Sequence, residues 1–326
     1  MTSWKYSLKQ NLPIVVASFV FIIMFAVYSF KHPAGLTPFV ATTAANKGVL
    51  LALIAIAQTL PVLTAGIDLS VGMIFILSNC LASTIVVGTT GETTLGIIIV
   101  LLCSTLCGML NGAVIVYGRL QPIITTVATG SIFFGLSLIL RPAPGGDVNE
   151  TLADALTGQT FGIIPTSLLV LLAIIVLIWL PFKKSVYGRA VYAAGSSESA
   201  AYMSGLNIKS GKFLAYSMAG LFSGLAGLML TFITYAGEAN AALGGGYTLY
   251  SIASVVIGGT SLYGGVGGAV GSVIGAFVFR TIGDLLFVFD LDALYQPLFI
   301  GVVLIFTVSL GAFRLLRVRN RLDLLK

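Results

Sequence analysis

The chain has 326 residues, 57% of them hydrophobic and 9% charged, with a net charge of +6 and a mean hydropathy of +1.05. A soluble domain carries about 25% charged residues, so soluble enzymes, coiled coils, disulfide scaffolds and disordered chains are excluded. The positive charge does not point to nucleic acid, because most basic residues fall in short segments between apolar runs; that is the pattern of an integral membrane protein.

A membrane-spanning helix takes about 20 mostly apolar residues. Ten candidates follow in order, at roughly 12–30, 47–65, 69–87, 95–117, 121–140, 165–182, 213–235, 248–263, 267–285 and 294–313. The expectation is an all-α membrane protein forming one polytopic domain over 1–326. The first segment follows Lys5 and Lys9 and lacks a small-residue cleavage site, so it reads as an uncleaved anchor. The eighth and ninth are the least sharply bounded, because the glycine-rich stretch 258–268 runs between them. Gly108–Gly112, Gly220–Gly224 and the series Gly267, Gly271, Gly275 carry the small-xxx-small spacing of closely packed spans.

Charge sets the expected orientation. With the N-terminus inside, the inner segments hold Lys5, Lys9, Arg119, Lys183, Lys184, Arg189, Lys209, Lys212, Arg314, Arg317, Arg319, Arg321 and Lys326, most of the 17 basic residues. Both termini are therefore expected in the cytoplasm. Spans two to five and seven to ten then have opposite orientations, which allows an inverted repeat, although no residue-level repeat is visible. Two connections exceed a simple turn. Residues 141–164 lie outside and are mildly acidic; 183–212 lie inside and are basic. Within the latter, Ser196 to Met203 predicts a short helix, with a serine cap and Glu198 in its first turn.

No catalytic or metal-binding constellation is visible. The sole Gly-Lys, Gly211-Lys212, lacks the rest of a phosphate loop, and His32 is the lone histidine. Cys80, Cys103 and Cys107 all lie in apolar stretches and read as packing residues. Polar residues near mid-span are Gln58, Asn79, Asn111, Thr126, Thr129 and Ser131; each either bridges helices or lines a path through the membrane. Arg280 and Asp284, four apart near the outer end of span nine, predict an intrahelical ion pair. Asp68, at a tight inner turn, is placed to cap the first amides of span three, with direct contact to a transported substrate as the alternative.

That turn reads Gly66-Ile67-Asp68-Leu69-Ser70-Val71-Gly72 and resembles the signature of the monosaccharide ABC-transporter permeases, the ribose, xylose and galactose type, within the branched-chain amino acid permease superfamily. The resemblance continues in order through Asn111-Gly112, Leu120 to Thr126, Gly188-Arg189, Ala194-Gly195 with Ala200-Ala201 and Ser204-Gly205, Ser217 to Gly220 with Ala226-Gly227, and Gly258 to Gly267. The chain departs from the family at Ala65, where a second glycine is usual. It also has Ser197 near an expected asparagine, Tyr202 near a frequent arginine, and Thr248 and Tyr250 where acidic residues are common.

The resemblance implies an importer in a bacterial plasma membrane. An extracytoplasmic sugar-binding protein would deliver a monosaccharide or polyol, and two permease subunits, identical or paired as a heterodimer, would form the path. Two ABC ATPase subunits, or a fused tandem, would supply the energy, with ATP and Mg on those partners and no cofactor on this chain. The loop 183–212 would be the ATPase-coupling loop, through Gly188, Arg189, Gly195, Glu198, Ala200, Ala201 and Gly205. Two alternatives stand beside this: a permease of the same superfamily for branched-chain amino acids or nucleosides, and an ion-coupled secondary transporter. The latter usually carries buried mid-membrane charge.

Overall fold

The computed structural model describes residues 3–295, 297–303, 305, 306 and 309. The long helices are α1 (Ser3–Lys31), α2 (Pro38–Leu63), α4 (Thr90–Val116), α5 (Pro122–Leu140), α11 (Ile208–Thr234) and α13 (Ala269–Val288); α3 (Val71–Ile85) and α12 (Ala241–Ile257) are shorter. The sixth span is composite: α7 (Thr166–Ile174) passes through a π-helical turn, Ile175–Trp179, into α8 (Leu180–Lys184). That turn ends two residues before Pro181, whose missing amide interrupts regular α-helical bonding. Three short helices lie in the connections: α6 (Glu150–Thr157), α9 (Val186–Ser196) and α10 (Glu198–Met203). A two-residue hairpin, β1 (Gln159–Thr160) with β2 (Ile164–Pro165), follows α6. Among the described residues seven helices are long and apolar enough to cross a membrane, and α3 and α12 are apolar but short.

Local chemistry sets the starts of these helices. Thr37 accepts from Val40 N, with Pro38 at the first helical position of α2. Thr89 and Glu92 form a reciprocal capping box on α4. Asn207 accepts from Ser210 N at α11, and Asn240 from Leu243 N at α12. The eighth span therefore begins near 241 rather than 248 and stops at Ile257, before the glycine-rich stretch. The tenth candidate, 294–313, extends outside the described residues; 297–303 are helical.

α2 is apolar all round and is buried continuously from Gly48 to Leu63, which places it at the centre. α3, α11, α12 and α13 pack around it, while α1, α4 and α5 leave rows of large apolar side chains exposed, as lipid-facing helices do. α4 and α11 cross with almost no side chain between them. A Cβ on Gly108 would strike Tyr216 O, and one on Gly220 would strike Ser104 O. Gly271 approaches Gly258, the residue that ends α12, and Gly275 approaches Ser254 within it in the same way. Gly267 does not belong to that series, since it lies before α13 with φ 123°, beside Thr260.

α2 and α3 begin at 38 and 71, α11 and α12 at 208 and 241, so the second pair restates the spacing of the first. Each pair is joined by a turn that opens on a left-handed residue, Ala65 (φ 61°) or Tyr235 (φ 55°), and closes on Ser70 or Asn240 directly before the short helix.

Candidate functional site

The signature turn is built by the end of α2. Ala65 N donates to Val62 O and Gly66 N to Pro61 O, which is a Schellman closure with Ala65 in the left-handed position. A Cβ at Gly66 would overlap Tyr216 Oη of α11, and one at Gly72 would overlap Gly244 O of α12. These glycines let the turn sit against two other helices. Gly72 N donates to Thr248 Oγ1 at 3.1 Å, so the hydroxyl at one departure from the family pattern holds an amide of α3.

Asp68 is fully buried, but it does not cap the first amides of α3 as its position suggests. Its Oδ1 accepts from Ser70 N (2.8 Å) and Ser70 Oγ (2.6 Å). Ser70, the residue before α3, is already in the αR region with no side-chain cap bond. The carboxylate therefore closes an Asx turn over Asp68, Leu69 and Ser70 instead of reaching into the helix. Ser70 Oγ accepts in turn from Asn111 Nδ2 at 2.7 Å, and Asn111 Oδ1 accepts from Thr129 Oγ1 at 2.6 Å. Thr126 Oγ1 accepts from Leu69 N at 2.9 Å. Asp68, Ser70, Asn111, Thr126 and Thr129, scattered over 62 positions of sequence, thus form one buried network tying the turn to α4 and α5. Every donor in the Thr129–Asn111–Ser70 series points toward the Asp68 carboxylate. Asp68 Oδ2 and Tyr216 Oη are both buried without partners among the described residues.

The other polar mid-span residues do not join this network. Asn79 serves the opposite turn: its Nδ2 donates to Thr231 Oγ1 (2.9 Å) and Ala236 O (3.0 Å), and its Oδ1 accepts from Glu238 N (3.0 Å). Ser131 is exposed and donates to Val127 O of its own helix. Gln58 is fully buried in α2, and among the described residues neither its Oε1 nor its Nε2 has a partner.

The segment 183–212 is largely helical, with more order than a single short helix. Ser185 caps α9 by accepting from Gly188 N, where a Cβ would strike Phe182 O. α9 lies against α11 and the end of α2: a Cβ on Gly195 would strike Leu63 O and approach Gly264 and Gly265. Gly265 N donates to that same Leu63 O at 3.0 Å, and Tyr192 Oη donates to Gly267 O at 2.9 Å. Burial pushes the Tyr192 hydroxyl up to about 12, so it remains a donor at physiological pH. Ser197 caps α10, accepting from Ala200 N, and Gly205 (φ 75°) closes it. Ala201 is buried against Ala194 and Ile208, whereas Tyr202 and Met203 are 78% and 82% exposed. Glu198 pairs with Lys212 of α11 at 2.9 Å, while Arg189 and Ala200 face outward. No feature of the sequence pointed to the Leu63–Gly195–Gly265 junction, because its contacts are backbone atoms from three distant segments.

Residues 40–308 match the family described as branched-chain amino acid transport system / permease component. The chain is 34% identical over 291 residues to the ribose import permease protein RbsC of Bacillus subtilis, covering 88% of this chain and 89% of that one. It is 33% identical over 262 residues to the ribose import permease protein RbsC of Haemophilus influenzae (79% and 80% covered). To the D-allose transport system permease protein AlsC of Escherichia coli it is 30% identical over 259 residues (79% and 78% covered). No solved structure gives a significant match.

Proposed function

The chain belongs to the branched-chain amino acid transport system / permease component family, and from that premise we propose that it carries a monosaccharide or similar polyol into the cell as the membrane-spanning permease subunit of an ABC importer. It is a multi-pass protein of the inner membrane. The sugar assignment rests on relatives named for ribose and allose import at 30–34% identity over most of the chain. In this reading a second permease subunit completes the path, a binding protein delivers substrate outside, and ATP and Mg stay on the partner ATPases. Both termini face the cytoplasm.

The observation that carries the mechanism is the seating of α9 and α10. α10 offers Tyr202 and Met203 outward while Ala201 anchors it, and α9 touches Leu63 at the head of the Asp68 turn. A push on α10 by an ATPase would pass through α9 to the junction where α2, α9 and the glycine-rich stretch meet. The network below then moves as a unit with α4 and α5, since its hydrogen bonds are buried and a broken one costs about 1–3 kcal/mol. Proteoliposomes containing this chain with its ATPase and binding protein should take up labelled ribose only when ATP is inside with the ATPase. Uptake of leucine in place of pentose would favour the amino acid alternative. Uptake by the chain alone under an ion gradient would overturn the importer reading.

A further inference from the structure

We infer that the cavity between α1, α2 and α13 binds the phosphate headgroup of an anionic phospholipid. Its volume is about 410 Å³, and it lies at the end of α1, away from the Asp68 network. Four basic residues fall outside the expected inner segments: Lys31, Lys47, Arg141 and Arg280. Arg141 is spent on Ser83, donating to its Oγ and its carbonyl. Lys47 and Arg280 both line the cavity and share one acid: Lys47 Nζ and Arg280 Nη2 each lie 3.5 Å from the same Oδ1 of Asp284. One carboxylate between two cations leaves a positive charge over, with His32 counted neutral. Asp290 and Asp292 are exposed on the following turn and do not line the cavity.

The geometry shows cations still seeking an acceptor. A charge-assisted N–H···O bond is about 2.7–2.9 Å long, so at 3.5 Å neither cation is held closely by Asp284. Among the described residues Arg280 Nε is buried with no acceptor. Uncompensated charge among membrane helices is costly and draws a counter-ion. The walls say which kind. Phe39 and Phe287 flank the cations and are 75% and 69% exposed, and α1 turns Ile22, Ile23 and Phe30 outward. A free anion gains nothing from such a rim, whereas a phospholipid lays its glycerol and acyl chains along it while the phosphate meets Lys47 and Arg280. Basic pockets between membrane helices hold lipid headgroups by the same chemistry.

The test is lipid retention by the purified full-length chain, measured by native mass spectrometry and by thermal unfolding in detergent. Phosphatidylglycerol and phosphatidylcholine are titrated separately, and inorganic phosphate is added in a parallel series. The wild-type chain should retain phosphatidylglycerol in preference, and Lys47→Gln should weaken that retention about tenfold, as loss of one charge-assisted contact does. Asp284→Asn should strengthen it, because the competing carboxylate charge is gone; a purely structural Asp284 would not act in that direction. Arg280→Gln should resemble Lys47→Gln, and if it does not fold, the other two variants decide. Equal retention of both lipids, or retention unchanged in Lys47→Gln and Asp284→Asn, would overturn the proposal. So would stabilisation by inorganic phosphate equal to that by the lipid. Loss of binding-protein docking in Lys47→Gln with lipid retention unchanged would assign the cations to a protein partner instead.

Discussion

Ala65 stands where the backbone asks for glycine. α2, α10 and α12 all end with the same pair of closing bonds, and the left-handed residue is Gly205 after α10, Gly259 after α12 and Ala65 after α2. An L residue in that region costs roughly 1–2 kcal/mol, partly offset by the greater unfolded-state freedom of glycine. Ala65→Gly is therefore expected to raise stability by about 0.5–1 kcal/mol, read as a higher unfolding temperature in detergent; a lower one would show that the methyl group packs usefully. Asp68 poses the complementary question. Asp68→Asn keeps an acceptor for Ser70 N and should fold normally, whereas Asp68→Ala strands that buried amide and should cost about 1–3 kcal/mol. Uptake normalised to folded protein should change little in Asp68→Asn. A large loss at unchanged thermal stability would mean that the unpartnered Oδ2 meets substrate.

At the level of elements, the short helices α3 and α12 depend on each other. Gly72 of α3 faces Gly244 and Thr248 of α12 with no room for a methyl group, and the main chain opposite cannot swing aside as a side chain does. Gly72→Ala should cost about 1–3 kcal/mol, the usual range for overpacking, and lower the yield of folded protein. Gly91→Ala at the start of α4, where a Cβ meets nothing, should be silent. The departure at Thr248 belongs to the same contact, since its hydroxyl accepts from Gly72 N. α10 makes a different kind of prediction. Ala201 N donates to Ser197 O at 3.0 Å, and Ala201→Pro removes that bond at about 3 kcal/mol of helix stability. The full chain should still insert, because α10 is a six-residue connection, but binding-protein-stimulated ATPase activity should be lost. Retained stimulation would separate α10 from coupling.

For the whole molecule the decisive property is which end faces which compartment. Among the described residues, Lys183, Lys184, Arg189, Lys209 and Lys212 lie in or beside α9 and α10, at the end that carries the Asp68 turn. The other end carries α6, with Asn149 capping it and Tyr235 Oη donating to Asp154. Single cysteines on a cysteine-free background should react with an impermeant reagent from outside at position 150, and at position 198 only after the membrane is opened. The reverse pattern would invert the transport direction assigned here. It would leave the packing of α2, α3 and α11 untouched, because that packing depends on burial and not on sidedness.

Composition and hydropathy alone determined that the chain is an α-helical membrane protein, and roughly where its spans lie, because apolar length is a local property that needs no partner. The turn around Asp68 and the short helix at 198–203 were legible for the same reason: caps, glycines and charges act within a few residues. Position in three dimensions decided the rest. That Asn111, Thr126 and Thr129 meet Asp68, while Gln58, Asn79 and Ser131 do not, depends on which faces of α2, α3, α4 and α5 turn toward one another. Those helices are apolar on nearly every side, so they carry too little amphipathic signal to orient them. The restated spacing of α2–α3 in α11–α12 was invisible for a related reason, since packing of this kind constrains size and backbone shape far more than residue identity. The Asp284 pair shows both limits together. Its spacing to Arg280 predicted an ion pair along α13, but Lys47, from the far side of the sequence, joins only because α2 and α13 pack side by side.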